Sequence, residues 1–466
     1  MVLSGGIGLV SLVLVVLHSN KYISGAFMWF WLSVYWWVCV VVCVVEFLGG
    51  FFGGFFGGLS YKMGYDGLSM FFIVLALLVT LVSFLSMAPS GGVLNAIGGR
   101  GLATSFILLG TLLVWFFIIS SGIEFFICFE LCVIPIFFLI GYWGSQRERI
   151  FSNYYFLFYS LMAPVPFLFL MISSVSRGMG TYFYTTHSGG WVASLGGEAL
   201  GPWVVFGLVL GFLTKLPIYG FHIWLPKAHV DAPVGGSMVL AGVMLKMGSY
   251  GLMRLSVFEW VVASPVIMFI VGLGMWGFFV TSVLCLRLVD FKVIVAFSSV
   301  SHMSIAIVGV LSAVGWGVLG SFLVFLGHGF ISPLLFYLGT LVYSRTGSRL
   351  VVGAGGTSIL GGSFYVLLLL GFMMNFGFPP FLNFFGEVGI FYSVFTMGEL
   401  YLVVVFLGFL FSGVYMMGLV VGMMHHGASY KFLSLRGLSM ADWLLGVFML
   451  ACYVLLGLVT HMVCVS

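Results

Sequence analysis

Apolar residues in this sequence come in long runs, separated by short clusters of Gly, Ser, Pro and charge. A helix of about 20 apolar residues crosses the hydrocarbon core of a membrane. Read at that length, the runs predict spans at 3–18, 25–47, 67–88, 102–120, 122–141, 151–173, 202–222, 234–256, 262–284, 291–312, 315–341, 359–378 continuing to 395, 401–423 and 441–463. The expected fold class is all-α, a polytopic membrane protein of about 14 transmembrane helices.

Charge supports this reading. Only 6% of the 466 residues are charged, and 62% are hydrophobic. A soluble domain carries about a quarter charged residues. Numbering loops by the spans they follow, the odd loops hold Lys21, Arg100, Arg147, Arg149, Lys227, Arg287, Lys292, Arg345, Arg349, Lys431 and Arg436. The even loops hold only Lys62, Arg177 and Arg254. Basic loops stay on the side from which insertion occurs. Both termini are therefore expected on the opposite side, the intermembrane space or the periplasm.

The basic residues are scattered, which argues against nucleic-acid binding. Glycine-rich stretches such as Gly190–Gly201 lack the strand and the Lys-Ser/Thr of a phosphate loop. The seven cysteines form no C-x-x-C pair and read as small apolar helix residues. The first twenty residues lack a transit-peptide pattern and read as a membrane anchor. Residues rich in G/T-containing codons dominate, as in a biased organellar genome. The G-G-F-F repeat at Gly49–Gly58 and the polar stretch Arg177–Pro202 carry no assigned function.

A charge at mid-membrane costs about 2.5–3.5 kcal/mol even on mild scales. Glu130, Lys215, Lys246 and Glu387 have apolar flanks on both sides. Each has a bland reading: a structural hydrogen bond for Glu130, and snorkelling to the interface for a lysine near a span end. Snorkelling suits Lys215, beside Pro217, better than Lys246. His302 and His328 fall in spans 10 and 11 and read as structural donors or as proton relays. Ser298, Ser299, Ser301 and Ser304 are near enough to hold water. His18, His187, His425, His426 and His461 read as peripheral.

Two spans are interrupted. One runs Lys215-Leu-Pro-Ile-Tyr-Gly-Phe-His222-Ile-Trp-Leu-Pro226, the other Asn375-Phe-Gly-Phe-Pro379-Pro380-Phe-Leu-Asn383-Phe-Phe-Gly-Glu387. Proline removes a backbone donor, and freed backbone groups at membrane depth need protein or a hydrated cavity around them. Paired interruptions in two halves point to an inverted-repeat transporter. The expected organisation is N-terminal helices 1–3 over 1–100, a first repeat over 101–256, a second over 257–424 and helix 14 over 425–466. Opposite charges supply a switch: opening a Glu130–Lys215 pair loosens the lysine's hold on its proton. That proton then has Lys246, the histidines and Glu387 along its row. Moving a charge against about 100 mV costs about 2.3 kcal/mol, so an outside driver is needed.

The stretch Thr214–Gly251, T-K-L-P-I-Y-G-F-H-I-W-L-P-K-A-H-V-D-A-P-V-G-G-S-M-V-L-A-G-V-M-L-K-M-G-S-Y-G, closely resembles the core of the NADH–ubiquinone oxidoreductase chain 4 family. F-E-L-C-V-I-P at 129–135, Y-W-G-S-Q-R-E-R-I at 142–150, S-S-V-S-H-M at 298–303, G-H-G-F-I-S-P at 327–333 and P-P-F-L-N-F-F-G-E at 379–387 extend the resemblance in order. The wider family includes chains 2 and 5 of mitochondrial complex I and the large subunits of cation/proton antiporters.

The resemblance implies a fourteen-helix antiporter-like fold with inverted repeats and broken helices 7 and 12. It implies a proton-translocating membrane-arm subunit, part of an enzyme coupling NADH:ubiquinone oxidoreduction to pumping, in the mitochondrial inner membrane. Glu130, Lys215, Lys246, His302, His328 and Glu387 would form the proton pathway. Glu387 matches chain 4, where some relatives carry Lys. No cofactor or metal is implied in this chain; NADH, FMN, iron–sulfur clusters and ubiquinone belong to the complex. Chains 2 and 5, the lipid bilayer, protons and internal water are the implied partners. Asp231 stands where relatives commonly carry Glu and keeps the charge. Residues 1–60 and 177–202 match poorly. A separate cation/proton antiporter and a non-conducting membrane-arm scaffold are the alternatives.

Overall fold

The computed structural model describes residues 57–60, 63–87, 98–176, 202–257, 259–357, 361–425 and 439–465. Predicted spans 1 and 2, most of the G-G-F-F repeat and most of the 177–202 stretch lie outside the described residues, as do His18 and His187.

A short antiparallel hairpin of β1 (Gly57–Ser60) and β2 (Met63–Tyr65) comes first. Every other element among the described residues is helical. The helices are α1 (Gly67–Ser86), α2 (Gly98–Ile118), α3 (Gly122–Leu131), α4 (Val133–Trp143), α5 (Arg149–Met162), α6 (Val165–Ser176), α7 (Pro202–Lys215), α8 (Trp224–Asp231) and α9 (Val234–Val239). A π turn over Leu240–Met244 comes before α10 (Leu245–Ser256). Then come α11 (Glu259–Val262), α12 (Pro265–Cys285), α13 (Phe291–Leu311), α14 (Gly315–Thr346), α15 (Gly362–Phe376), α16 (Leu382–Met397), α17 (Glu399–Val420) and α18 (Met440–Val465).

Every predicted span from the third to the fourteenth finds its helix. Among the described residues nine helices are long and apolar enough to cross a membrane, and three more apolar helices are shorter. The short ones include α7, α15 and α16, on either side of the interruptions read from proline. Spans 5 and 6 are each divided as well, at Cys132 and at Ala163–Pro164.

Helix ends follow local chemistry. Asp66 caps α1 through a reciprocal capping box, with Ser69 N donating to Asp66 Oδ1 at 3.0 Å and Asp66 N donating to Ser69 Oγ at 2.9 Å. Asp290 caps α13 by accepting from Lys292 N at 3.0 Å. Gly377 ends α15 at φ +76°, a left-handed conformation that glycine enters without steric cost.

Two compact units emerge, Met1–Gly211 with Asp231–Val239, and Phe212–Val230 with Leu240–Ser466. In the first, α1 packs on α2 and α9, and α2 packs on α3 and α4. Phe116 anchors an aromatic cluster, its ring centroid 4.5 Å from Phe125 and 5.1 Å from Phe117. In the second, α14 is the hub. It packs against α13, α15, α16 and α18 and against the π turn. It passes so close to α16 that a Cβ on Gly320 would sit 2.5 Å from Gly386 O. Tyr337, also on α14, donates to Asp442 Oδ1 at the start of α18 at 2.9 Å. That bond ties two helices 105 residues apart in sequence.

Candidate proton pathway

Within the second unit, four helices deliver ionisable side chains to one buried row. Lys246 stands on α10, fully buried, five residues after Ala241 in the π turn. Its Nζ donates to Ala241 O at 3.2 Å and lies 2.7 Å from His328 Nδ1 on α14. The π turn gives Lys246 a local carbonyl where a regular helix offers none. A separation of 2.7 Å is hydrogen-bond distance, so a proton can pass directly between the two bases. With His328 Nδ1 bare, Lys246 donates; with a hydrogen on His328 Nδ1, the neutral lysine amine accepts. Ser332, one turn on, donates its hydroxyl to His328 O at 2.7 Å and fixes the backbone beside it.

From His328 the row continues to His302 on α13, with ring centroids 5.9 Å apart. His302 Nδ1 is 3.7 Å from Glu387 Oε1 on α16. Both steps exceed direct hydrogen-bond length, so a proton passing along the row would need water or a rotamer change there. His302, His328 Nε2 and Glu387 Oε1 have no hydrogen-bond partner among the described residues. Such buried polar atoms are expensive in a merely structural core.

The second interruption holds Glu387 in place. Asn383 Nδ2 donates across the break to Met374 O at 3.2 Å, and Asn383 N donates to Tyr453 Oη at 3.4 Å. The backbone groups freed by the break are thus taken up by protein. Gly377 lies against the Glu387 carboxylate, where a Cβ would come within 2.6 Å of Oε2.

The first interruption is built similarly. Lys215 is the last residue of α7 and is buried, so it does not snorkel to an exposed end. Trp224 Nε1 donates to Thr214 O at 3.0 Å across the break, and Gly220 N donates to His222 Nδ1 at 3.2 Å. The Tyr219 and His222 rings stack with centroids 5.0 Å apart. Glu130 belongs to the first unit, near the end of α3. It lines an apolar cleft of about 350 Å³ with Phe126, Ile134, Phe137 and Leu161.

Two groups escaped the sequence reading. Lys292, assigned to a loop by its charge, is the second residue of α13 and is buried. His229 was passed over in the quoted P-K-A-H-V-D stretch; it is fully buried on α8 and stacks on Phe336 with centroids 4.6 Å apart and planes 9° off parallel. Its one sequence signal is its place three residues after Pro226 in a broken span. No group of three or more His, Cys, Asp or Glu able to hold a metal occurs among the described residues.

A multi-pass helical protein with two interrupted spans and a buried row of exchangeable groups is of the antiporter-like membrane class. Residues 120–413 match the family described as NADH:quinone oxidoreductase/Mrp antiporter, TM, and the chain belongs to that family. Among curated proteins it is similar to NADH-ubiquinone oxidoreductase chain 4 of Branchiostoma lanceolatum, 36% identical over 323 residues, covering 68% of this chain and 70% of that one. The chain 4 protein of Arbacia lixula is 38% identical over 313 residues, 65% of this chain and 67% of the relative. Among solved structures, a chain of respiratory complex I from Thermus thermophilus with bound NADH shares the fold at a TM-score of 0.81 and 20% identity, covering 98% of this chain and 95% of that one. A chain of the membrane-bound sulfane sulfur reductase, an archaeal respiratory membrane complex, does so at 0.83 and 15%, with 99% and 94% covered.

Proposed function

We propose that this chain is a proton-translocating membrane-arm subunit of NADH–ubiquinone oxidoreductase, respiratory complex I. The observation that carries the reading is the buried row Lys246–His328–His302–Glu387, whose first pair lies at hydrogen-bond distance, 2.7 Å. Glu130 and Lys215 belong to the pathway in this reading; a buried lysine's hold on its proton weakens when a neighbouring carboxylate is withdrawn. The row moves a proton and performs no redox step, so the driving energy comes from elsewhere in the complex. NADH, FMN, iron–sulfur clusters and ubiquinone act in other subunits.

The same reading places the chain in the mitochondrial inner membrane between chains 2 and 5, with both termini toward the intermembrane space. The organisation is 1–100, repeats over 101–256 and 257–424, and a C-terminal helix over 425–466. The family's Mrp branch supports a second reading, a cation/proton antiporter that uses the same row without NADH oxidation. Purifying the native complex and assaying NADH oxidation distinguishes the two. The direct test is Glu387→Gln, or Lys215→Ala, in the assembled complex. Translocation predicts fewer protons moved per NADH; an unchanged ratio with normal assembly makes the chain a scaffold.

A further inference from the structure

The second interruption carries two asparagines, Asn375 and Asn383, and neither enters the row described above. Both are buried, Asn383 completely. Asn383 Oδ1 has no hydrogen-bond partner among the described residues. It is pressed so closely against α14 that a Cβ on Gly327 would overlap it. An apolar side chain would fill this place without stranding an acceptor. The other end of the carboxamide supplies the reason for a polar residue here.

That end holds the last turn of α15. Asn383 Nδ2 donates to Met374 O at 3.2 Å, and the same carbonyl accepts from Gly377 N at 3.3 Å. Gly377 is the residue against which the Glu387 carboxylate rests. Asn383 and Glu387 stand four residues apart on α16, so they share a face of that helix, and both meet this one turn of α15. From the same turn, Asn375 Nδ2 donates to Ser298 Oγ on α13 at 3.5 Å and to Met416 Sδ on α17 at 3.5 Å. Ser298 donates its own hydrogen to Val295 O at 2.8 Å, which leaves its lone pairs for the amide. Ser298 lies one turn before His302. The turn from Met374 to Gly377 is thus fastened to α16 one turn before Glu387, and to α13 one turn before His302. It is a spacer between the helices that carry the two groups.

We propose that Asn383 and Asn375 are positioning residues which, through the last turn of α15, set the separation of Glu387 from His302 and so the rate of proton passage between them. The role rests on the translocation reading above. His302 Nδ1 and Glu387 Oε1 stand 3.7 Å apart, about 0.5 Å outside the range of a direct hydrogen bond. At that distance a small movement of either helix decides whether the two groups touch. Neither carboxamide ionises, so their hold on the turn does not change as Glu387 gains or loses a proton.

The test uses vesicles holding the assembled complex, with NADH-driven proton movement per assembled complex as the rate. Asn383→Ala and Asn375→Ala are each expected to slow it roughly tenfold, within what a displacement of about 1 Å costs a reacting group. The carboxyl band that Glu387→Gln deletes from the infrared difference spectrum should shift in both. It should stay in place in Tyr337→Phe, which removes a bond outside the α15 turn. Because Asn383 and Gly377 act through one turn, Asn383→Ala combined with Gly377→Ala should be no more than about twofold slower than the slower single variant, whereas independent defects multiply. An assembled Asn383→Ala complex that pumps at the parental rate, or is slowed with its carboxyl band unshifted, refutes the positioning role while Glu387→Gln is impaired. Multiplying defects refute it too. If Asn383→Ala does not assemble, Asn375→Ala is read by the same criteria; failure of both to assemble makes the amides structural and overturns the proposal. If Glu387→Gln itself pumps normally, the translocation reading falls.

Discussion

Gly377 offers a perturbation whose size can be worked out. It ends α15 at φ +76°, directly before the second interruption, and its Cα faces the Glu387 carboxylate. In Gly377→Ala the backbone strain of a left-handed alanine is about 1–2 kcal/mol. The new Cβ would begin 2.6 Å from Glu387 Oε2 and 3.0 Å from Oε1. Ordinary van der Waals contact starts near 3.4 Å, so the carboxylate must retreat by about 0.8 Å. Its neighbour in the row is His302, already 3.7 Å away. Misplacement of a reacting group by about 1 Å can cost about 10²-fold in rate. Gly377→Ala should therefore slow NADH-driven proton movement by roughly 10- to 100-fold. The complex should still assemble, because the strain is only a fraction of a typical stability of about 5–15 kcal/mol. The assay is proton movement in vesicles alongside quantification of assembled complex. Near-parental pumping in a fully assembled variant would refute the placement of Glu387 in the pathway.

Two further substitutions separate packing from transport. Gly320→Ala puts a Cβ 2.5 Å from Gly386 O and 2.9 Å from Ile390 N, both backbone atoms that cannot rotate away. Overpacking of this kind costs about 1–3 kcal/mol or more, and the measured outcome should be less assembled complex or a lower Tm. Tyr337→Phe removes the 2.9 Å bond to Asp442. Loss of this partly buried hydrogen bond costs about 0.5–1.5 kcal/mol, so amide exchange in the first turn of α18 should accelerate while pumping is retained.

Much of the architecture was legible because lipid imposes simple rules. A run near 20 apolar residues is a span, and twelve of the predicted spans coincide with helices. Pro217 and the Pro379–Pro380 pair marked both interruptions, since a missing backbone donor is visible in sequence. The buried row was legible as residue types: charges with apolar flanks are rare enough to stand out. Which of them touch was not, because contacts such as Lys246 with His328 depend on how α10 meets α14. The divisions at Cys132 and Ala163 escaped notice, as hydropathy runs through both. So did the π turn, which shifts one hydrogen bond without altering the apolar pattern. His229 was overlooked because P-K-A-H-V-D is polar enough to pass for a loop, whereas its burial comes from α14 covering it through Phe336. Lys292 misled in the same way: a lysine at a helix start counts as a loop charge until packing encloses it.

In the translocation reading the enclosed Lys246–His328 pair passes protons rather than merely filling space. Protons moved per NADH oxidised by the assembled Lys246→Ala complex measure this most directly. Proton transfer through the pair predicts that the ratio falls, or that oxidation stalls with the proton step. Full oxidation at an undiminished ratio would contradict it.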